Sequence, residues 1–500
     1  MITAQGTDDA TSAYDGRLFP LTNALQHFGV ETNGIAPISK EEQVDTRIYQ
    51  LFTMWLSTNT SITNFVFGAS GPVVFKLSFR NTMIIVLIVT LLVCIIPAYL
   101  QCDFWSQTRD ENDGASVSSP SLKIHPSQQP HRRFSWGAYG VAIPSLLNVG
   151  TTALYLFLTT VVGGQMLARV FNNLSPDVGI IIVSVISLVV SFCGSRVLHW
   201  FEAFAWIPTA IGICAMLGVG GPYLTSADPY PAPSLASILS FSATVAAGQI
   251  TWCTFTADYG VYHDANASSA RIFTYTYLGI FLPSVILPII GAAFAAAAPN
   301  VPSWAAGFDN GNDIGGLVSA VLAPAGGFGR FLIVLMALGT SAPNATNMYT
   351  FGLSLMNVST TCVKVPRYVF AMIATGICIP LAIVGRTRFY GVLIACLDFV
   401  GYWTALFAGI ILTEHVLFRR CSWDNYNVED WDQPENLPPG YAAVGCFLAS
   451  FALIIPCMAQ NFYVGPIGKA IGDVGILVGI ISSCFLYWGF RTLEIRMSGR

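Results

Sequence analysis

From Gln50 to Ile495 the chain repeats one pattern, about twenty apolar residues followed by a short polar break. A hydrocarbon layer about 30 Å thick takes about 20 helical residues to cross. Lipid offers no partner to a backbone N–H or C=O, so each apolar run predicts a membrane-spanning helix. Twelve runs are predicted, at about 50–72, 82–101, 137–168, 177–194, 199–220, 236–258, 273–298, 328–355, 367–385, 388–416, 440–460 and 472–492. The expected fold class is an all-α integral membrane protein. Residues 1–47 read as a polar tail, 48–495 as the twelve-helix domain and 496–500 as a short end.

Two spans carry helix breakers at related places. Gly68, Gly71 and Pro72 fall near the end of the first, and Ala246-Ala247-Gly248 precede Trp252 in the sixth. Five spans separate them, as in a five-plus-five inverted repeat, where broken helices free backbone groups for a substrate or ion. Gly and Pro are also common in membrane helices at large. Between the second and third spans, residues 102–133 are rich in Ser, Pro and Gln without apolar period, and read as an atypical polar insertion.

Charge sets an orientation. With the termini and even-numbered loops on one side, that side holds 16 of the 23 Lys and Arg residues and the other holds 7. The positive-inside rule then predicts both termini in the cytoplasm. The polar N-terminal tail has no apolar h-region, which argues against a cleaved signal peptide.

Composition narrows the classes. The chain is 54% hydrophobic and 10% charged, against about 25% charged in soluble domains. A net charge of -4 argues against a nucleic-acid partner. The twelve cysteines form no C-x-x-C pair and the six histidines no zinc spacing. Neither a phosphate-binding loop nor G-x-S-x-G is present. No enzyme activity and no cofactor are expected.

Polar residues inside the spans are the candidates for chemistry. Glu202, Asp258, Asp398 and Glu414 are the acidic ones. Glu202 reads as a proton site or as the partner of Arg196, Asp258 and Glu414 as helix-end or interfacial groups. The eighth span contains GTSAPNATNMY, in which Asn344 and Asn347 are three apart and share a helix face. An amide offers a donor and an acceptor, which suits the edge of a planar heterocycle. Thr340 and Ser341 supply small oxygens for an ion. Interhelical hydrogen bonding is the alternative use of such groups. Tyr155 and Thr159 share a face of the third span, and Trp252 lies in the sixth, so two helices offer aromatic faces to a flat ring. Asn59, Ser61 and Asn64 add polar groups in the first span.

The stretches TRIYQLFTMWLSTNT, GASGPVVFKLSFR, VSFCGSRVLHWFEAFAWIP, TADYGVY, NMYTFGLSLM, GYWTALFAGIILTEHVLFRR and YVGPIGK carry a resemblance. The chain resembles the fungal purine-cytosine permeases of nucleobase–cation symporter family 1, from about Thr46 onward, interrupted at 102–133. The resemblance implies a leucine-transporter-type fold, a five-plus-five core with two further C-terminal helices. It implies a plasma-membrane importer of a nucleobase, coupled to a proton rather than to sodium. It places the base between aromatic residues of the third and sixth spans, with polar groups of the first, third and eighth orienting it. Trp252, Tyr155, Thr159, Asn347, Asn344 and Asn64 are then the expected substrate residues, and Glu202, Ser341 and Thr340 the coupling residues.

The chain also departs from that family. Tyr155 stands where the family has Trp, and Thr159 where it has Asn or Gln. Pro343 and Thr346 replace the first Asn and the Pro of the eighth-span pattern. One hydroxyl makes fewer directional bonds than an amide. Another small heterocycle, such as vitamin B6, therefore stays open as the substrate, as does a receptor-like or inactive member.

Overall fold

Twelve helical passages cross the described residues in the order the apolar pattern predicts. The computed structural model describes residues 38–39, 47–105, 124–125, 128–171, 173–192, 194–226, 232–256, 268–363, 365–422, 425–426, 430 and 433–499; at 38–39, 103–105, 124–125, 128–131, 194–203, 225–226, 360, 363 and 367 only the backbone is described.

The first span is two half-helices, Tyr49–Asn59 and Ile62–Val73. The second is Phe79–Val93 continued by Ile95–Trp105. The third to fifth are Ala142–Val170, Pro176–Phe192 and Gly194–Gly220. The sixth is Leu235–Ile250 followed by a 3-10 turn, Thr251–Thr254. The seventh is Ser269–Ala297, and the eighth joins Gly326–Gly339 to Ser341–Val358. The ninth to twelfth are Arg367–Gly385, Phe389–Thr413, Tyr441–Ile454 and Gly475–Ser498. Among the described residues, eight stretches are long and apolar enough to cross a membrane. One of them, Tyr368–Phe418, holds both the ninth and tenth spans, and Pro176–Phe192 and Tyr441–Cys457 are shorter apolar helices. Outside the helices, Ile38–Ser39 of the tail pairs antiparallel with Ile124–His125 of the polar stretch.

The first span breaks at Thr60-Ser61, not at Gly68, Gly71 and Pro72, which lie inside the half-helix Ile62–Val73. The cause is the polar run Ser57-Thr58-Asn59-Thr60-Ser61. Thr58 Oγ1 donates to the Met54 carbonyl at 2.9 Å, Asn59 Nδ2 to Trp55 at 3.0 Å and Thr60 Oγ1 to Leu56 at 2.6 Å. Asn64 Nδ2 reaches back across the break to the Asn59 carbonyl at 2.6 Å. Side chains thus occupy carbonyls that the break leaves without helical partners. The glycines serve contact instead. A Cβ on Gly68 would lie 1.8 Å from the Pro288 carbonyl oxygen, and one on Gly291 1.9 Å from that of Phe65. The first and seventh spans therefore pack backbone against backbone, as small residues permit in membranes.

The sixth span continues helically through Ala246-Ala247-Gly248 and tightens at Thr251, so Trp252 sits in the irregular turn itself. The eighth is interrupted at Thr340, which ends one helix and starts the next. Pro343 explains that kink, because it has no N–H for the Gly339 carbonyl.

Away from these breaks, Glu414 stands at the end of the helix Phe389–Thr413. It is fully buried, and accepts from Arg419 Nε at 3.0 Å, Arg491 Nε at 3.1 Å and Tyr487 Oη at 3.0 Å.

Candidate functional site

A cavity of about 50 Å³ opens where the three interrupted spans meet the third. One water needs roughly 10–15 Å³ on the same measure. The first span contributes Ser61, Thr63, Asn64 and Phe67 from around its break, and the sixth contributes Thr251, Trp252 and Phe255 from the 3-10 turn. Tyr155 and Thr159 come from the third, and Pro343, Thr346 and Asn347 from the eighth. No charged side chain lines it among the described residues.

Five of the six expected substrate residues, Trp252, Tyr155, Thr159, Asn347 and Asn64, face this one space. The Trp252 ring is set edge-on against Trp55 at 5.3 Å and against Phe255 at 5.9 Å between centroids. Trp55 is itself held, since its Nε1 donates to Gln101 Oε1 at 2.9 Å, which also accepts from Thr276 at 3.1 Å. Trp252 thus packs against a ring whose own nitrogen is anchored. Asn347 is half-buried, and its amide has no side-chain hydrogen bond among the described residues. Buried or half-buried amides normally find partners, so this one is available to an occupant. Thr63 Oγ1 is likewise buried without a partner among the described residues.

Asn344 is placed differently. It does not line the cavity, is fully buried, and donates to Thr160 Oγ1 at 3.1 Å and Ser187 Oγ at 3.2 Å. Its Oδ1 accepts from Thr159 Oγ1 in a close contact. Thr159 also leans on the Tyr155 and Leu156 carbonyls at 2.9 and 3.1 Å. Asn344 therefore ties the eighth span to the third and fourth and sets the Thr159 rotamer at the cavity wall.

Of the three expected coupling residues, two sit at the eighth-span kink. Thr340 Oγ1 donates to the Ala337 carbonyl at 2.6 Å. The Ser341 hydroxyl is fully buried and has no partner among the described residues. The side chain of Glu202 and the whole of Asp258 lie outside the described residues. Asp398 is remote from the cavity wall; its Oδ2 accepts from Gln460 Nε2 at 2.7 Å. The same nitrogen reaches Asp473 Oδ2 at 3.0 Å.

The reading of the sequence missed Thr63, Phe67, Thr251 and Phe255. The signal was present for Thr63 in the polar run that breaks the first span, and for the sixth-span pair in their adjacency to Trp252. Phe67 carries no mark that separates it from any other apolar residue of a span.

Broken first and sixth helices around an aromatic-walled cavity, with no charged group among its described lining, are the arrangement of a leucine-transporter-type fold. A solved structure with this fold is Mhp1, a nucleobase-cation-symport-1 family transporter, in a closed conformation with bromovinylhydantoin bound. The TM-score is 0.66 at 16% identity, over 93% of this chain and 96% of Mhp1. Among curated proteins, the purine-cytosine permease fcyB of Emericella nidulans is 32% identical, over 94% of this chain and 90% of its own length. The vitamin B6 transporter TPN1 of Saccharomyces cerevisiae is 26% identical, over 96% and 90% respectively. The family described as permeases for cytosine/purines, uracil, thiamine and allantoin matches residues 37–102 and 114–428. The chain belongs to that family of permeases, and it is a multi-pass membrane transporter.

Proposed function

We propose that this protein imports a nucleobase of the cytosine or purine type across the plasma membrane by proton symport. The observation that carries this reading is the cavity wall, which joins two aromatic residues on different spans, Trp252 and Tyr155, to an uncommitted amide at Asn347, with no charged group among the described lining. A neutral planar ring with a polar edge fits that chemistry. The ring stacks on Trp252 and Tyr155. Asn347 and Asn64 bond its edge, and Thr159, held by Asn344, closes the third-span side. Ser341 and Thr340 at the kink, with Glu202, form the coupling region. The cation biases the equilibrium between the two open states through its different affinity for them.

One observation favours a second reading. The Thr159 hydroxyl already leans on two backbone carbonyls and Asn344, which leaves it little to give a base edge. Pyridoxine, whose hydroxyls can donate to a wall oxygen that keeps only its acceptor lone pairs, suits that wall, and the vitamin B6 transporter is among the relatives. Uptake of labelled cytosine, adenine, hypoxanthine and pyridoxine decides between them, in yeast lacking its own nucleobase permeases. Saturable uptake of a base, faster at about pH 5 than at about pH 7.5, supports the first reading. Pyridoxine uptake alone supports the second. No uptake of any of them by protein at the cell surface sinks both.

A further inference from the structure

Arg132 lies near the end of the polar stretch 102–133, yet it is 1% exposed and among the largest fully buried side chains of the described residues. A buried guanidinium is costly unless it is partnered. Arg132 Nη2 donates to the Thr254 carbonyl at 2.6 Å, and its guanidinium lies over the Phe407 ring, 5.4 Å from the centroid. Thr254 is the last residue of the turn that carries Trp252, and is itself fully buried. Its hydroxyl donates to Asn148 Oδ1 on the third span at 3.0 Å, and Asn148 Nδ2 donates to Ser354 Oγ on the eighth at 2.8 Å. One end of the substrate-facing turn is therefore tied to three other spans and to the segment ahead of the third. Trp252 and Phe255, on either side of the tied pair Cys253-Thr254, both line the cavity.

We infer that Arg132 is a positioning residue of the transport site: it holds the Trp252 turn against the third and eighth spans and keeps the cavity shut beneath that turn. A helix end leaves carbonyls without intrahelical partners, and here a cation from another segment supplies one. A path past the turn requires the sixth span to part from the third and eighth. The bonds from Thr254 to Arg132 and to Asn148 then break together, which makes the contact a two-state element and not a gradual one. By the charge distribution Arg132 lies on the cytoplasmic side, where a carried substrate leaves. The inference rests on the reading of this cavity as the substrate site.

The test is alkylation of native cysteines in the purified full-length protein in lipid nanodiscs. N-ethylmaleimide labelling is quantified by mass spectrometry at Cys253, in the latched turn, and at Cys446, in the eleventh span; both are fully buried. Arg132→Ala is expected to speed Cys253 labelling about tenfold, the effect of losing one charge-assisted hydrogen bond, with Cys446 unchanged. Arg132→Lys, which keeps the charge and a donor, is expected to restore most of the protection. Ser354→Ala, a milder variant that loosens the far end of the chain of bonds, is expected to give a smaller rise, about threefold, at Cys253 alone. Unchanged Cys253 labelling in Arg132→Ala and Ser354→Ala overturns the inference, and so does a parallel rise at both cysteines. The readout needs no substrate. Absent nucleobase uptake therefore rejects the proposed function without touching this result.

Discussion

Asn344 accepts a hydrogen bond from Thr159 across the interface of the eighth and third spans, and commits its own amide hydrogens to Thr160 and Ser187. Asn347, three residues on, has no such commitment and faces the cavity. Two asparagines on one helix thus divide into a structural tie and an amide open to the cavity. Asn344→Ala is expected to lower stability by about 1–3 kcal/mol, seen as a fall in detergent Tm. Asn347→Ala is expected to leave Tm within a degree or two while raising KM for uptake about tenfold or more. Equal Tm losses in the two variants would contradict this division.

The contact of the first and seventh spans makes a sharper prediction. A methyl group at Gly68 or Gly291 would sit within 1.9 Å of a backbone oxygen on the facing helix. Neither backbone can yield without separating the two spans. Gly68→Ala and Gly291→Ala are each expected to cost about 3 kcal/mol or more and to abolish surface expression of a fluorescent fusion. A methyl group at Gly150 would meet no atom within 4 Å. Gly150→Ala is expected to be expressed normally, which separates a packing effect from a general intolerance of alanine.

The number and order of the spans were legible because a period of about twenty apolar residues is a direct consequence of bilayer thickness. The cavity lining was legible where residue type and spacing coincide, as in Asn347, or Tyr155 and Thr159. What escaped were features set by competition between local groups. Gly68, Gly71 and Pro72 look like a break, but the Ser57–Ser61 run is the stronger one, since its side chains replace backbone partners. The division of labour between Asn344 and Asn347 also has no local signature. It depends on which face Thr160 and Ser187 occupy, more than 150 residues away in sequence. Asp398 found its partners, Gln460 and through it Asp473, between the helices Tyr441–Ile454 and Gly475–Ser498, at the edges of the two predicted runs.

Glu414 is the centre of a buried charge network. It takes Arg419, Arg491 and Tyr487, and Arg491 Nη1 also bonds Glu494 Oε2 at 2.9 Å. Removing one member of such a set strands the opposite charge in a medium that cannot solvate it. Glu414→Ala is expected to cost about 3–5 kcal/mol, measured as loss of monodisperse protein on size exclusion. A wild-type elution profile and Tm for that variant would show that Arg491 is served by its remaining partner.

Thr159 is one of the cavity residues at which the resemblance leads to an expected departure from the family, and its surroundings say what an amide there would do. The hydroxyl is drawn toward the Tyr155 and Leu156 carbonyls, one turn back on its own helix, and toward Asn344. Its one donor is therefore already engaged, and it presents only acceptor lone pairs to the cavity. An asparagine is longer and carries two donors, so it keeps one for Asn344 Oδ1 and turns the rest of its amide toward the ring site. Thr159→Asn is expected to raise the apparent affinity for cytosine about tenfold, since a gained pair of directional bonds in a water-poor site is worth roughly 1–2 kcal/mol. The measurement is inhibition of labelled substrate uptake by unlabelled cytosine in wild type and variant. If the wild-type protein prefers pyridoxine, the same substitution is expected to move preference toward the base, and the ratio of the two inhibition constants reads the change directly. An unchanged ratio would mean that the third-span wall does not touch the substrate edge, and would leave Asn347 and Asn64 to carry recognition alone.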